Sequence, residues 1–191
     1  MMLDLVKKNR SYRRFAQDVP VTRETLEQLV NLARLSASAA NKQPLKYLLC
    51  WEAEKNALVF ETLAWAAYLK DWGGPQEGER PAAYIVVLHD TEISSPLVHV
   101  DAGIACQSIL LGATEAGLGG CILASVKRDK LRENLHIPAR YEILLVIALG
   151  KPAETVVIET AGDDIKYWRD EQDVHHVPKR PLEEIIIGAR C

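Results

Sequence analysis

The chain has 191 residues, 48% of them hydrophobic and 26% charged, with a formal net charge of −3. That length fits one domain able to bury a substantial core. The near-neutral balance lacks the basic excess that a nucleic-acid-binding face carries. Met1 to Lys8 hold too short an apolar run for a signal peptide and read as a short first helix.

Thr22 marks a helix start, with Leu26, Leu29, Val30 and Ala33 following at helical spacing. Leu45 to Trp51 predicts a strand, and Glu54 to Leu69 a helix carrying Leu58, Phe60, Leu63 and Ala67. Trp72 to Gly78 is a loop by composition. Ala82 to Leu88 is a continuous apolar run of the kind a central strand shows. A long helix is expected from about His99 to Ala116, stopping at Gly117. The most apolar long stretch, Val98 to Leu118, is broken by Asp101, Gln107 and Glu115, which favours a buried helix over a membrane span. That helix is apolar or small on almost every side, so it needs cover from its own sheet or from a second subunit. Cys121 to Val126 and Tyr141 to Leu149 read as strands, with a short helix from Arg128 to Leu135 between them.

From Pro152 the chain turns polar and extended and ends in a short helix, Leu182 to Ile187. This tail keeps Tyr167, Trp168, Val174, Val177 and three consecutive isoleucines, so it is expected to embrace a partner subunit. Cys50, Cys106, Cys121 and Cys191 show no C-x-x-C spacing, and the first three lie in apolar surroundings expected of core thiols in a reducing cytosol. His175-His176 has no spaced Asp or Cys beside it, and no serine sits in a G-x-S-x-G elbow. Neither a metal site nor a protein nucleophile is expected.

Two short polar patches carry the chemistry. The first, Arg10-Ser11-Tyr12-Arg13-Arg14-Phe15, offers positive charge and a hydroxyl, which suits phosphate oxygens. The second runs from Ser36 to Pro44 and offers small side chains with Asn41 and Gln43, which suits the hydrogen-bonding edge of a flat heterocycle. One helix separates them, so both are expected to converge on one ligand. Taken singly, the first could be a solvated basic face and the second a turn.

Together the patches resemble the nitroreductase family, which opens with R-S-x-R-x-F and follows one helix later with P-S-x-x-N-x-Q-P. Here Arg10, Ser11, Arg13 and Phe15 match the first, and Ser38, Asn41, Gln43 and Pro44 the second, with Ala37 in place of the leading proline. The resemblance continues in Asp101 to Gln107, Gly117 to Cys121, Leu149 to Pro152 and Val177 to Ile185. It implies an α+β fold: a central, mainly antiparallel sheet flanked by helices, in a single FMN-binding domain over 1–191. A C-terminal extension, about 153–191, would be exchanged between the subunits of a homodimer.

The resemblance also implies FMN as cofactor, NAD(P)H as electron donor, and ping-pong hydride transfer to an electron-poor acceptor such as a nitroaromatic or quinone. Arg10 and Ser11 would contact the phosphate and Arg13 the pyrimidine edge. Ser38, Asn41 and Gln43 would bond the ring and ribityl chain. Ala124 and Ser125 stand where many members carry Glu-Gly or Gly-Gly near flavin N5, so a carboxylate contact is lost and a backbone donor kept. Ser125 could instead cap the helix near Arg128. Lys179 and Arg180 match a basic pair that closes over the phosphate; which of the two reaches it is open. Arg14 has no family role and is assigned to the surface. Two other readings stay open: a flavin store or sensor without turnover, and a specialised relative such as a dehalogenase.

Overall fold

A computed structural model describes residues 1–188; Cys191 lies outside the described residues. Its helices are α1 (Met2–Lys8), α2 (Arg23–Leu35), α3 (Ala53–Phe60), α4 (Val98–Glu115), α5 (Arg128–Leu135) and α6 (Leu182–Ile185). Its strands are β1 (Phe15–Ala16), β2 (Leu45–Cys50), β3 (Ala83–Asp90), β4 (Gly119–Leu123), β5 (Tyr141–Pro152), β6 (Val156–Thr160), β7 (Trp168–Arg169) and β8 (His175–Lys179).

The main sheet runs β1-β5-β3-β2, with β4 also paired to β5, and every pairing in it is antiparallel. The apolar run of β3 is buried on both faces, and this puts it at the centre. Ile85 and Val87 point to a core shared with α2 and α4, whereas Tyr84, Val86 and Leu88 point to a second core beside α3 and α5. Helices on both faces of an antiparallel sheet make the fold α+β, as expected.

Two local signals hold as read. Thr22 Oγ1 accepts from the Thr25 backbone N–H at 3.2 Å and caps α2. Gly117 sits just past α4 at a φ of +73°, in the left-handed region. A close approach sets a third feature: a Cβ on Gly112 would meet Leu32 Cδ1 at 2.2 Å, so a larger residue there would have to push the Leu32 side chain aside where α4 crosses α2.

Two boundaries and one cap near the site differ from expectation. The helix from Glu54 stops at Phe60, because buried Thr62 turns its hydroxyl back to the Val59 carbonyl at 2.7 Å. Leu63 then bridges to Val126 and the chain runs on beside the end of β4. The strand expected to reach Val126 ends at Leu123, leaving Ala124 and Ser125 exposed. Ser125 does not cap α5, whose N-cap is Lys127.

Much of the described tail lies on its own chain. β6 pairs in parallel with β8, and β7 in antiparallel with β8, to make a small second sheet. It is tied back through Arg169, whose Nη2 donates to Glu154 Oε2 at 2.9 Å. The end of the tail is different, since Leu182, Ile185, Ile186 and Ile187 are all exposed. On α4, Val98, Ala102, Ala105, Cys106, Ile109 and Ala113 are buried, but Val100 and Ile104, and Leu97 at its N-cap, are exposed. Among the described residues no helix is long and apolar enough to cross a membrane.

Candidate active site

Residues 10–14 link α1 to β1, and a buried carboxylate that has no local sequence signal holds them in place. Glu154, just beyond β5, has a side chain only 2% exposed. Its Oε1 accepts the backbone N–H groups of Arg13 and Arg14, the latter at 3.1 Å, while its Oε2 takes Arg169. One carboxylate thus fixes the first patch and docks the tail sheet against it. Removing one member of such a buried pair typically costs about 3–5 kcal/mol.

The tail brings two aromatic rings to Arg13. Its guanidinium carbon lies 4.7 Å from the Tyr167 ring centroid, and its Nη1 lies 3.3 Å from His175 Nε2. A guanidinium only donates, so Nε2 accepts and the proton of the neutral imidazole sits on Nδ1. That Nδ1 is buried with no partner. Burial first, then the charges of Arg13 and Arg169, push the His175 pKa down to about 4.

The sign of this shift makes a prediction. The unfolded imidazole takes up a proton near pH 6.5 while the folded one resists down to about 4, so His175 withdraws stability as pH falls through that window. His176, held by Asp170 and Glu159, is shifted up and acts in the opposite sense. Thermal melts of His175→Gln, whose amide oxygen can still accept from Arg13, are expected to lose less Tm than wild type between about pH 7.5 and 5. Parallel losses in the two proteins would refute the assignment.

Arg10, Ser11, Arg13, Tyr167, His175 and Lys179 line a cavity of about 380 Å³. Among the described residues three cations lie in its wall and no carboxylate does. Arg10 donates one Nη2 hydrogen to the Val6 carbonyl at 2.8 Å, while its buried Nε has no partner. Arg13 and Ile122 also line a second space of about 220 Å³, bounded by Trp65, Ala124 and Ser125. The two spaces share Arg13 and Ile122 as lining residues and are taken together as a groove, cationic at the Arg10–Lys179 end and reaching the residues after β4 at the other. Arg180 is not in its wall and pairs instead with Glu184, one helical turn on.

Arg14 corrects an expectation. Its side chain is only 18% exposed and pairs with Glu79 and Asp173, so it ties the loop before β3 and the tail to the first patch.

The second patch is built as tightly, in another place. Asp101, a buried carboxylate on α4, accepts Ser38 Oγ at 2.8 Å and the Ala39 N–H at 2.9 Å. Ser38 Oγ in turn accepts the Gln43 N–H at 3.0 Å, and Gln43 Nε2 donates to Asn41 Oδ1 at 3.1 Å. Ala40, Asn41 and Gln43 all have φ near +50°, a left-handed run that costs non-glycine residues roughly 1–3 kcal/mol each. This patch lines its own cavity of about 210 Å³ with Ser36, Pro44 and Tyr47. It shares no lining residue with the groove. Within one chain, then, the two patches do not converge on one ligand.

The thiols behave as core groups: Cys50, Cys106 and Cys121 are buried, and burial pushes the first two up to about 11 and about 12. Among the described residues no cluster could hold a metal ion.

A groove with a cationic end suits a ligand that carries phosphate, on an α+β scaffold. Residues 6–151 match the nitroreductase family, and the chain belongs to it. A relative in Methanothermobacter thermautotrophicus, provisionally named NADH dehydrogenase/NAD(P)H nitroreductase, is 29% identical over 158 residues, covering 80% of this chain and 78% of its own. The FMN-dependent nitroreductase of Clostridium difficile superposes with a TM-score of 0.65 at 26% identity, covering 85% of this chain and 92% of that one. A nitroreductase family protein of Streptococcus pneumoniae has the same fold, with a TM-score of 0.71 at 20% identity over 99% of this chain and all of the other.

Proposed function

We propose that this chain is an FMN-dependent oxidoreductase that passes a hydride from NAD(P)H to an electron-poor acceptor such as a nitroaromatic or quinone. The observation that carries the reading is the groove wall, with Arg10, Arg13 and Lys179 and no opposing carboxylate. A phosphate monoester brings close to two negative charges, and such a wall answers them. The family membership and the FMN dependence of the Clostridium difficile relative support the same cofactor.

Bound FMN would supply the redox chemistry, accepting a hydride at N5 and releasing it to the second substrate. The chain's own residues bind and tune. Arg10, Ser11 and Lys179 hold the phosphate. Arg13, fixed by Glu154 and His175, faces the pyrimidine edge, where a guanidinium stabilises the charge left by two-electron reduction. Ala124 and Ser125 follow β4 at the far side of the groove and offer backbone rather than a carboxylate. Donor and acceptor use that face in turn, which makes the kinetics ping-pong.

The second patch completes the site from a second subunit. In one chain it faces a different cavity, yet its strained loop is held as firmly as the first patch. Val100 and Ile104 of α4, Leu97 at its N-cap, and the exposed isoleucines of the tail end supply apolar surface for a homodimer. Residues 1–191 then form one domain, with the end of the 153–191 arm packing on the partner. Buried, unpaired thiols fit a reducing cytoplasm.

The protein is expected to purify yellow with one FMN per chain, read from its visible spectrum. A colourless protein that cannot be reconstituted with FMN would overturn the proposal.

A further inference from the structure

The charged side chains of the groove wall offer a polar ligand donors and nothing else. Arg10, Arg13 and Lys179 have no lone pair with which to accept a hydrogen bond. Two further polar groups in the wall are already committed as acceptors. His175 Nε2 takes Arg13 at 3.3 Å, and the Tyr167 hydroxyl takes the Tyr68 backbone N–H at 3.4 Å. Asn9 is only 9% exposed. Among the described lining residues, Ser11 and Gln107 are the neutral polar side chains that stand exposed. Ser11 belongs with the phosphate, which leaves Gln107.

Local structure sets Gln107 beside the first patch and gives it room. It stands on α4 about one turn before Leu110, which lines the same space. Leu110 packs over Gly120, where a Cβ would meet its Cδ2 at 2.6 Å, and Gly120 bridges to Ser11. A helical side chain leans back over the turn that precedes it. For Gln107 that turn carries Gly103, where a Cβ would find nothing within 4 Å. The preceding turn therefore leaves the amide free to swing toward a ligand.

A carboxamide both donates and accepts, through Nε2 and Oε1. That pairing matches a hydroxyl, which also does both, better than a phosphate oxygen, which accepts. FMN carries a chain of hydroxyls between its phosphate and its ring. Gln107 lines the space at the cationic end of the groove and not the space that reaches the residues after β4. We propose that Gln107 binds this hydroxylated chain, its Oε1 accepting from one hydroxyl and its Nε2 donating to another. The assignment rests on the FMN reading above and adds to it a ligand that lies outside both polar patches.

Titration of the apoprotein, followed by quenching of flavin fluorescence, tests it with FMN and with FMN analogues that each lack one chain hydroxyl. Gln107→Met keeps the side-chain length and removes both polar atoms. The position is exposed, so the Tm of this variant without flavin should match wild type. Its affinity for FMN is expected to fall about threefold to tenfold. Wild type should lose a similar factor for at least one analogue, and Gln107→Met should lose nothing further for that analogue, because the same contact is removed twice. An unchanged FMN affinity in the variant would overturn the proposal. So would an equal loss for FMN and for every analogue, which would put the amide on the phosphate or the ring. Wild-type apoprotein that binds no FMN would instead refute the cofactor reading, and this assignment with it.

Discussion

Arg10→Ala is expected to weaken FMN binding about tenfold or more, while Arg14→Ala leaves it close to wild type. The two arginines lie four residues apart in one patch, and composition alone cannot tell them apart. Their surroundings can. Arg10 lines the groove and, among the described residues, pairs with no carboxylate, so deleting it removes a charge-assisted contact of about 1.5–3 kcal/mol from the complex. Arg14 spends its charge on Glu79 and Asp173 and is absent from the groove wall. Its loss should appear as lower thermal stability and a looser tail, with flavin affinity kept. Titration of the apoprotein with FMN, followed by quenching of flavin fluorescence, gives both affinities. Equal losses at the two positions would mean that the register of the R-S-x-R-x-F match is wrong.

The second large effect is expected from residues that touch neither patch. Val100→Glu with Ile104→Glu should convert the protein to a monomer that no longer retains FMN. Val100 is 54% exposed and Ile104 38% exposed in the single chain, so charges there cost the isolated subunit little. In a dimer of this class the interface buries roughly 2,000 Å² or more, and carboxylates buried there without partners abolish association. If Ser38, Asn41 and Gln43 reach the flavin only from the partner, flavin leaves with the dimer although every predicted contact residue is intact. Sedimentation velocity with absorbance at a flavin wavelength reads both properties at once. A folded monomer that keeps its flavin would move the cofactor into a single-subunit pocket. Ending the chain after Ile158 should have the same outcome by a second route, because it removes Tyr167, His175 and Lys179 from the groove wall.

Much of this was legible in the residues, and the parts that were not have definable causes. Strong periodicity and capping placed α2, β3, α4 and α5 to within a residue or two, since Thr22, the apolar run of β3 and Gly117 act locally. The helix from Glu54 was read too long because its apolar spacing continues through Leu63, while its stop depends on Thr62 turning inward and on a bridge to Val126. The two patches were visible as motifs, yet their separation in space was not: it is set by how β2 and α4 fold around the second patch. Glu154 carried no signal, since an acid after a strand is ordinarily solvated and only the tail sheet buries it. His175 could have been found by alternation along an extended strand, which turns His175 inward to Arg13 and His176 outward to Asp170 and Glu159. Asp101 carries a legible signal, a lone acid on the apolar face of a helix, where an unpaired carboxylate would be costly.

Anaerobic mixing of the yellow protein with NADH or NADPH tests the central claim most directly. Bleaching of the oxidised flavin bands within seconds is expected with at least one of the two nucleotides, followed by their return when a nitroaromatic or quinone is added in the absence of oxygen. Bound flavin that neither nucleotide reduces on that timescale would contradict an oxidoreductase and make the protein a flavin carrier or sensor.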